Sequence, residues 1–149
     1  MFIIDMLVKF IWLIMLFGLL SSTSVADSGQ MCHVPDALNG KDLILSVDEE
    51  YSFNSPEVIG LMQYSFDINS FVNYIIQDNY IFPGKYTYQR IDSDLGLISV
   101  FEVMGDMISK YQILLVCISD IQGYFIYSLE YGERMPNVKH DTGFYILRE

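Results

Sequence analysis

Apolar residues along this chain recur at every second position, in short runs separated by clusters of Gly, Pro, Asn, Asp and Ser. That is the period of a strand with one face in a core, not the 3.6-residue period of a helix. Segments 41–47, 60–66, 71–76, 85–89, 97–103, 110–119, 124–131 and 142–147 fit the pattern and read as eight strands rich in Val, Ile, Tyr and Phe. Leu38-Asn39-Gly40, Asp48-Glu49-Glu50, Asp67-Ile68-Asn69, Pro83-Gly84, Ser93–Gly96, Asp120–Gly123 and the loop Gly132–Asp141 supply the breaks. Residues 52–59 read as a loose loop or a short helical turn. Short connections between consecutive strands favour antiparallel neighbours in a meander. The expected fold is all-β, a single antiparallel up-and-down meander closed into an eight-stranded barrel, which removes exposed edges. A two-sheet sandwich is the alternative.

Alternation also assigns faces. Tyr86 and Tyr88 oppose Lys85, Thr87 and Gln89, so the two tyrosines are expected to point inward. Tyr111, Ile113, Leu115 and Cys117 share one face, as do Phe125, Tyr127 and Leu129, and Phe144 with Ile146 is expected to complete the interior. Leu114, Val116 and Ile118 then lie outside. Either that strand is covered on both sides, or the barrel meets another surface.

The first 26 residues follow a different pattern. Lys9 precedes an unbroken apolar run from Phe10 to Leu20, and Ser24-Val25-Ala26 places small residues where a signal peptidase reads. The run is shorter than the ~20 residues that span a bilayer. Residues 1–26 therefore read as a signal peptide cleaved before Asp27, and residues 27–149 as one β-barrel domain. A secreted or periplasmic location follows, with membrane contact only through the signal segment before cleavage.

That segment carries one Lys and one Asp, so its loss leaves the net charge at −11. A surface this acidic repels phosphate backbones, which argues against nucleic-acid binding. Hydrophobic residues make up 52% of the chain, enough to build a core and to exclude a disordered product. The two cysteines, Cys32 and Cys117, suit a disulfide in an oxidising compartment; two unpaired thiols, with Cys117 as a small core residue, are the alternative.

Candidate chemistry is sparse. His33 and His140 sit in terminal or loop segments without an evident partner, and no nucleophile, metal or phosphate-binding motif occurs. Asp92-Ser93-Asp94-Leu95-Gly96 opens like a calcium loop, but Gly96 and Val103 stand where ligands are required, so it reads as a hairpin turn. Asp48-Glu49-Glu50 and Glu57 read as a solvated acidic loop. No catalytic residue, metal or cofactor is expected. A binding site, if internal, would use Tyr74, Tyr86, Tyr88, Tyr111, Phe125 and Tyr127, whose rings and hydroxyls can line a pocket for a small apolar molecule. Alternatively the same rings simply fill a barrel whose interior is barely wider than its side chains.

The stretches Gly84-Lys85-Tyr86-Thr87-Tyr88, Gly96, Tyr111–Cys117, Gly123-Tyr124-Phe125 and Thr142-Gly143-Phe144-Tyr145-Ile146, with Leu38-Asn39-Gly40-Lys41 at the entry, resemble a calycin-like barrel of secreted bacterial proteins, of lipocalin or MoaF type. The resemblance covers most of residues 38–147. It implies a barrel that binds a small molecule or a protein, and no catalytic residue. The Gly-x-Trp motif of lipocalins is missing, since the sole tryptophan, Trp12, lies in the signal segment. Two functions are thus expected to compete. One is a non-enzymatic exported barrel binding a small apolar ligand or a protein; the other is a protein-interaction or inhibitor module with a packed interior.

Overall fold

The computed structural model describes residues 32–47, 60–76, 79–132 and 140–149. The signal-peptide segment, the acidic turn 48–50 and the stretch 52–59 lie outside them. Eight antiparallel strands follow one another in an up-and-down meander: β1 (Asp42–Val47), β2 (Leu61–Phe66), β3 (Ser70–Ile75), β4 (Tyr80–Arg90), β5 (Leu95–Met104), β6 (Met107–Ser119), β7 (Gln122–Tyr131) and β8 (His140–Arg148). Each pairs with the next, and β8 returns to pair with β1, closing the barrel. The sandwich alternative is thereby set aside.

Alternation decides what fills the interior. Leu43, Leu45, Tyr64, Phe71, Ile98, Tyr111, Ile113, Leu115 and Phe125 are all at most 2% exposed and form one continuous core. Ring contacts run through it: Phe66 lies 4.7 Å from Tyr86, Tyr64 5.5 Å from Phe71, and Tyr111 5.0 Å from Tyr127. Aromatic pairs at such separations add to the stabilisation from burial itself.

Two expectations need correction here. Pro83-Gly84 does not break the chain; β4 runs through it, with Val72 paired to Pro83 and Phe71 to Gly84. Glycine is required there because a Cβ would stand 2.4 Å from the Phe71 ring and 2.7 Å from the Phe101 carbonyl oxygen. The glycine marks a close approach inside a strand rather than its end.

Nor do Phe144 and Ile146 face the core. Each is 49% exposed, while Tyr145 and Leu147 are buried. Every second residue from 143 to 147 is apolar on both parities, so alternation alone could not choose. Pairing chooses: Leu147 lies opposite Leu43 and Tyr145 opposite Leu45. Gly143 must also turn inward, since Phe125 covers it and a Cβ there would reach within 2.9 Å of that ring.

One end of the barrel is closed by the segment before β1. Val34 and Leu38 are buried in the core cluster. The Val34 amide donates to the Ser93 carbonyl at 2.8 Å and the His33 amide to Asp120 Oδ1 at 2.8 Å. The Arg90 side chain forms an ion pair with Asp36. A Cys32–Cys117 disulfide fastens this plug to the end of β6 across 85 residues of chain. Disulfides persist in oxidising compartments.

Candidate functional site

Of the six aromatic residues expected to line the interior, five do so and one does not. Tyr86, Tyr111, Phe125 and Tyr127 are buried, and Tyr88 is partly buried against the core. Tyr74 points outward. On β3 the inward positions belong to Phe71, Asn73 and Ile75, which puts Tyr74 beside Val72 on the outer wall, where its hydroxyl donates to Asn79 Oδ1 at 2.5 Å. A polar asparagine occupies the inward position that aromatic character had suggested for Tyr74.

Four tyrosine hydroxyls inside the barrel are engaged with the protein itself. Tyr86 donates to the Asp67 carbonyl at 2.8 Å and Tyr88 to the Pro35 carbonyl at 2.7 Å, while the Tyr64 and Tyr111 hydroxyls lie 3.3 Å apart. Tyr88 also covers Gly96, where a Cβ would stand 2.6 Å from its hydroxyl. Tyr86 and Tyr88 thus close the disulfide end of the barrel rather than present donors to a guest.

Burial affects their acidity. Desolvation, aided by Asp67, raises the Tyr86 phenol above its ordinary value. Desolvation pushes Tyr88 up to about 12; Arg90 opposes the shift and Asp36 adds to it. Tyr145 is also pushed up to about 12, by burial first and then by Tyr88. A phenol with a raised pKa holds its proton more tightly when folded, so its contribution is complete below the unfolded value near 10 and fades as pH rises toward 12. Urea midpoints should therefore fall between about pH 10 and pH 12, in step with tyrosinate absorbance. A midpoint that stays flat while the phenols ionise would contradict this.

At the opposite end the interior turns polar. Asn73, Glu102, Ser109 and Asp141 are buried there, with Asn73 Nδ2 donating to Glu102 Oε1 at 3.5 Å and Ser109 directly opposite Glu102. Sequence reasoning did not single these out, since each is one polar residue inside an apolar alternation. Outside the plug runs a groove of about 520 Å³ bordered by Lys41, Arg90 and Arg148. Its cations are matched by acids: Arg90 by Asp36, Lys41 by Glu149 at 3.3 Å, and Arg148 by Asp42 at 3.1 Å. His33 is exposed beside Asp120, and His140 Nδ1 lies 3.3 Å from Ser128 Oγ on the outer surface. Among the described residues no three His, Cys, Asp or Glu side chains form a group able to hold a metal.

The outer wall has the most distinctive surface. From β5 to β8 and on to β1, its central outward positions are Leu95, Leu97 and Ser99; Gln112, Leu114, Val116 and Ile118; Gln122, Tyr124, Ile126 and Ser128; Thr142, Phe144 and Ile146; and Ile44 and Ser46. None carries a charge at neutral pH. Register joins them into one patch: Leu97 pairs with Leu114, Leu114 with Ile126, Val116 with Tyr124, Tyr124 with Phe144, and Ile146 with Ile44. The Tyr124 and Phe144 rings meet at 4.7 Å near its middle. Ile118, Tyr124, Ile126, Phe144 and Ile146 each keep nearly half of their surface exposed. The alternation on β6 had exposed the first part of this patch; strand pairing supplies the rest.

The molecule is thus a closed, eight-stranded, all-antiparallel barrel, an architecture shared with but not restricted to calycin-like proteins. Comparison with protein-family models, curated proteins and solved structures gave no match.

Proposed function

We propose that this is an exported, non-enzymatic binding module of calycin-like form that acts on a protein partner through its outer wall. The observation that carries the proposal is the uncharged apolar patch spanning β5 to β8, on a chain whose net charge is −11. Isolated surface leucines need no explanation, but a contiguous apolar area beyond a few hundred Å² marks an interaction site. Export is supported by the pattern of residues 1–26 and by the disulfide, which suits an oxidising compartment.

The alternative, a small apolar ligand inside the barrel, has less support. Ring–ring contacts run through the interior, and the inward hydroxyls of Tyr86 and Tyr88 already bind backbone carbonyls.

Site-specific photocrosslinking tests the proposal. A photoreactive residue at Ser128, within the patch, should give protein adducts in the native extracellular fraction, and the same group at Val72, exposed on β3 across the barrel from β7, should not. Equal labelling at both positions, or none at Ser128, contradicts the assignment.

A further inference from the structure

We infer that Asn39-Gly40 is a covalent modification site, where Asn39 deamidates through the main chain, and that the closed plug holds this reaction in check. It is the one Asn-Gly pair in the sequence. Both residues are exposed, and no heavy atom lies within 4 Å of the point where a Cβ on Gly40 would stand.

The chemistry needs only water. The Gly40 amide nitrogen attacks Asn39 Cγ, and a new N–C bond forms as the bond to the side-chain nitrogen breaks. That side-chain nitrogen leaves as ammonia, carrying the proton that Gly40 gives up, and a five-membered succinimide remains. Water then opens the ring at either carbonyl, giving aspartate or isoaspartate at position 39. Glycine suits the second position because an amide with no side chain beside it reaches Cγ unobstructed.

The native turn works against the first step. The Lys41 amide donates to the Leu38 carbonyl at 2.9 Å, and Gly40 has φ +74° while Asn39 stays out of the left-handed region. This is the arrangement of a type II turn. The attacking nitrogen is itself occupied, since the Gly40 amide donates to the Phe66 carbonyl at 2.9 Å. To react, it must leave that carbonyl and release the proton it donates. Conversion therefore requires this end of the barrel to open locally.

The plug opposes that opening. Leu38, next to the pair, is 1% exposed and packs in the core cluster, and the chain leading to it is fastened by the Cys32–Cys117 disulfide. Once formed, the two products act differently on the plug. Aspartate leaves the main chain unaltered and adds a negative charge. Isoaspartate inserts a methylene carbon into the main chain, so a turn closed by one 2.9 Å bond loses its geometry and Leu38 its fixed position.

Peptide mapping by mass spectrometry, with electron-transfer fragmentation to separate the products, tests the inference on the oxidised protein at mildly alkaline pH. Conversion at Asn39 should be at least about tenfold slower than in the same protein unfolded in guanidinium chloride. The folded Cys32→Ser/Cys117→Ser variant should convert Asn39 about threefold to tenfold faster than the parent. Asn69-Ser70, exposed in the turn between β2 and β3, is the internal reference and should not change. Should the variant fold poorly, Leu38→Ala with the disulfide intact serves instead and should accelerate Asn39 alone. Equal rates in the folded and unfolded parent overturn the inference, because the turn then restrains nothing. So does a folded variant in which Asn39 reacts no faster, or faster only in step with Asn69, because the plug is then not the gate. An unfolded chain that accumulates no product at Asn39 removes the site itself.

Discussion

Phe125→Ala is expected to lower the unfolding free energy by about 3–5 kcal/mol, whereas Phe144→Ala should cost less than about 1 kcal/mol. The two phenylalanines stand on neighbouring strands and differ only in the wall they face. Phe125 is fully buried, covers Gly143 and belongs to the continuous core. Truncation there leaves a ring-sized cavity in a region whose neighbours, Gly143 and the paired strands, have little freedom to collapse into it. Phe144 contacts Tyr124 at 4.7 Å on the surface, so its removal forfeits one cross-strand aromatic pair and no core volume. Urea unfolding of the two variants at neutral pH measures the difference. Equal losses would mean that β8 pairs with β1 in the other parity.

Removing the disulfide should have an effect of similar size. Cross-linking Cys32 to Cys117 closes a loop of 85 residues, and the chain-entropy relation assigns such a loop on the order of 4 kcal/mol. Part of that stabilisation concerns the plug. Val34 and Leu38 are buried at the barrel end, but the segment carrying them has only a few hydrogen bonds and an ion pair to hold it besides the disulfide. The Cys32→Ser/Cys117→Ser variant should therefore unfold at a clearly lower urea concentration than the oxidised parent. Its plug amides, Val34 in particular, should also exchange hydrogen faster than those of β6. Unchanged midpoints would show that the plug is held by packing alone.

Much of this architecture was legible in the chain because the two-residue period is strong on β4 and is marked on β6 and β7 by the polar outward residues Lys110, Gln112 and Ser128. Tyr86, Tyr111, Phe125 and Tyr127 each alternate with polar or smaller neighbours, or lie in a long strand, and their inward direction follows. The pattern fails where both parities are apolar. On β8, Phe144 and Ile146 compete with Tyr145 and Leu147, and only the partner strand β1 resolves which set is buried. On β3, Asn73 takes an inward position that hydrophobicity would have given to Tyr74. Pro83-Gly84 misleads for a different reason: local turn chemistry is overridden by a long-range demand, the passage of the Phe71 ring over β4.

The candidate site divides in the same way. Leu114, Val116 and Ile118 were visible as an outward apolar row within one strand. Their continuation through Tyr124, Ile126, Phe144 and Ile146 depends on register between strands distant in sequence, which no single stretch records. The plug was equally hidden. Leu38 looked like part of a turn, and its burial depends on the barrel end that it closes.

The barrel interior is occupied by its own side chains, and binding is proposed for the outer wall. Native mass spectrometry of the oxidised protein, isolated without denaturation from its native source, tests that division most directly. The predicted spectrum contains the polypeptide mass alone or its whole-number multiples, with no small-molecule adduct. A stoichiometric apolar adduct that disappears on Phe125→Trp, a substitution that crowds the interior, would contradict it.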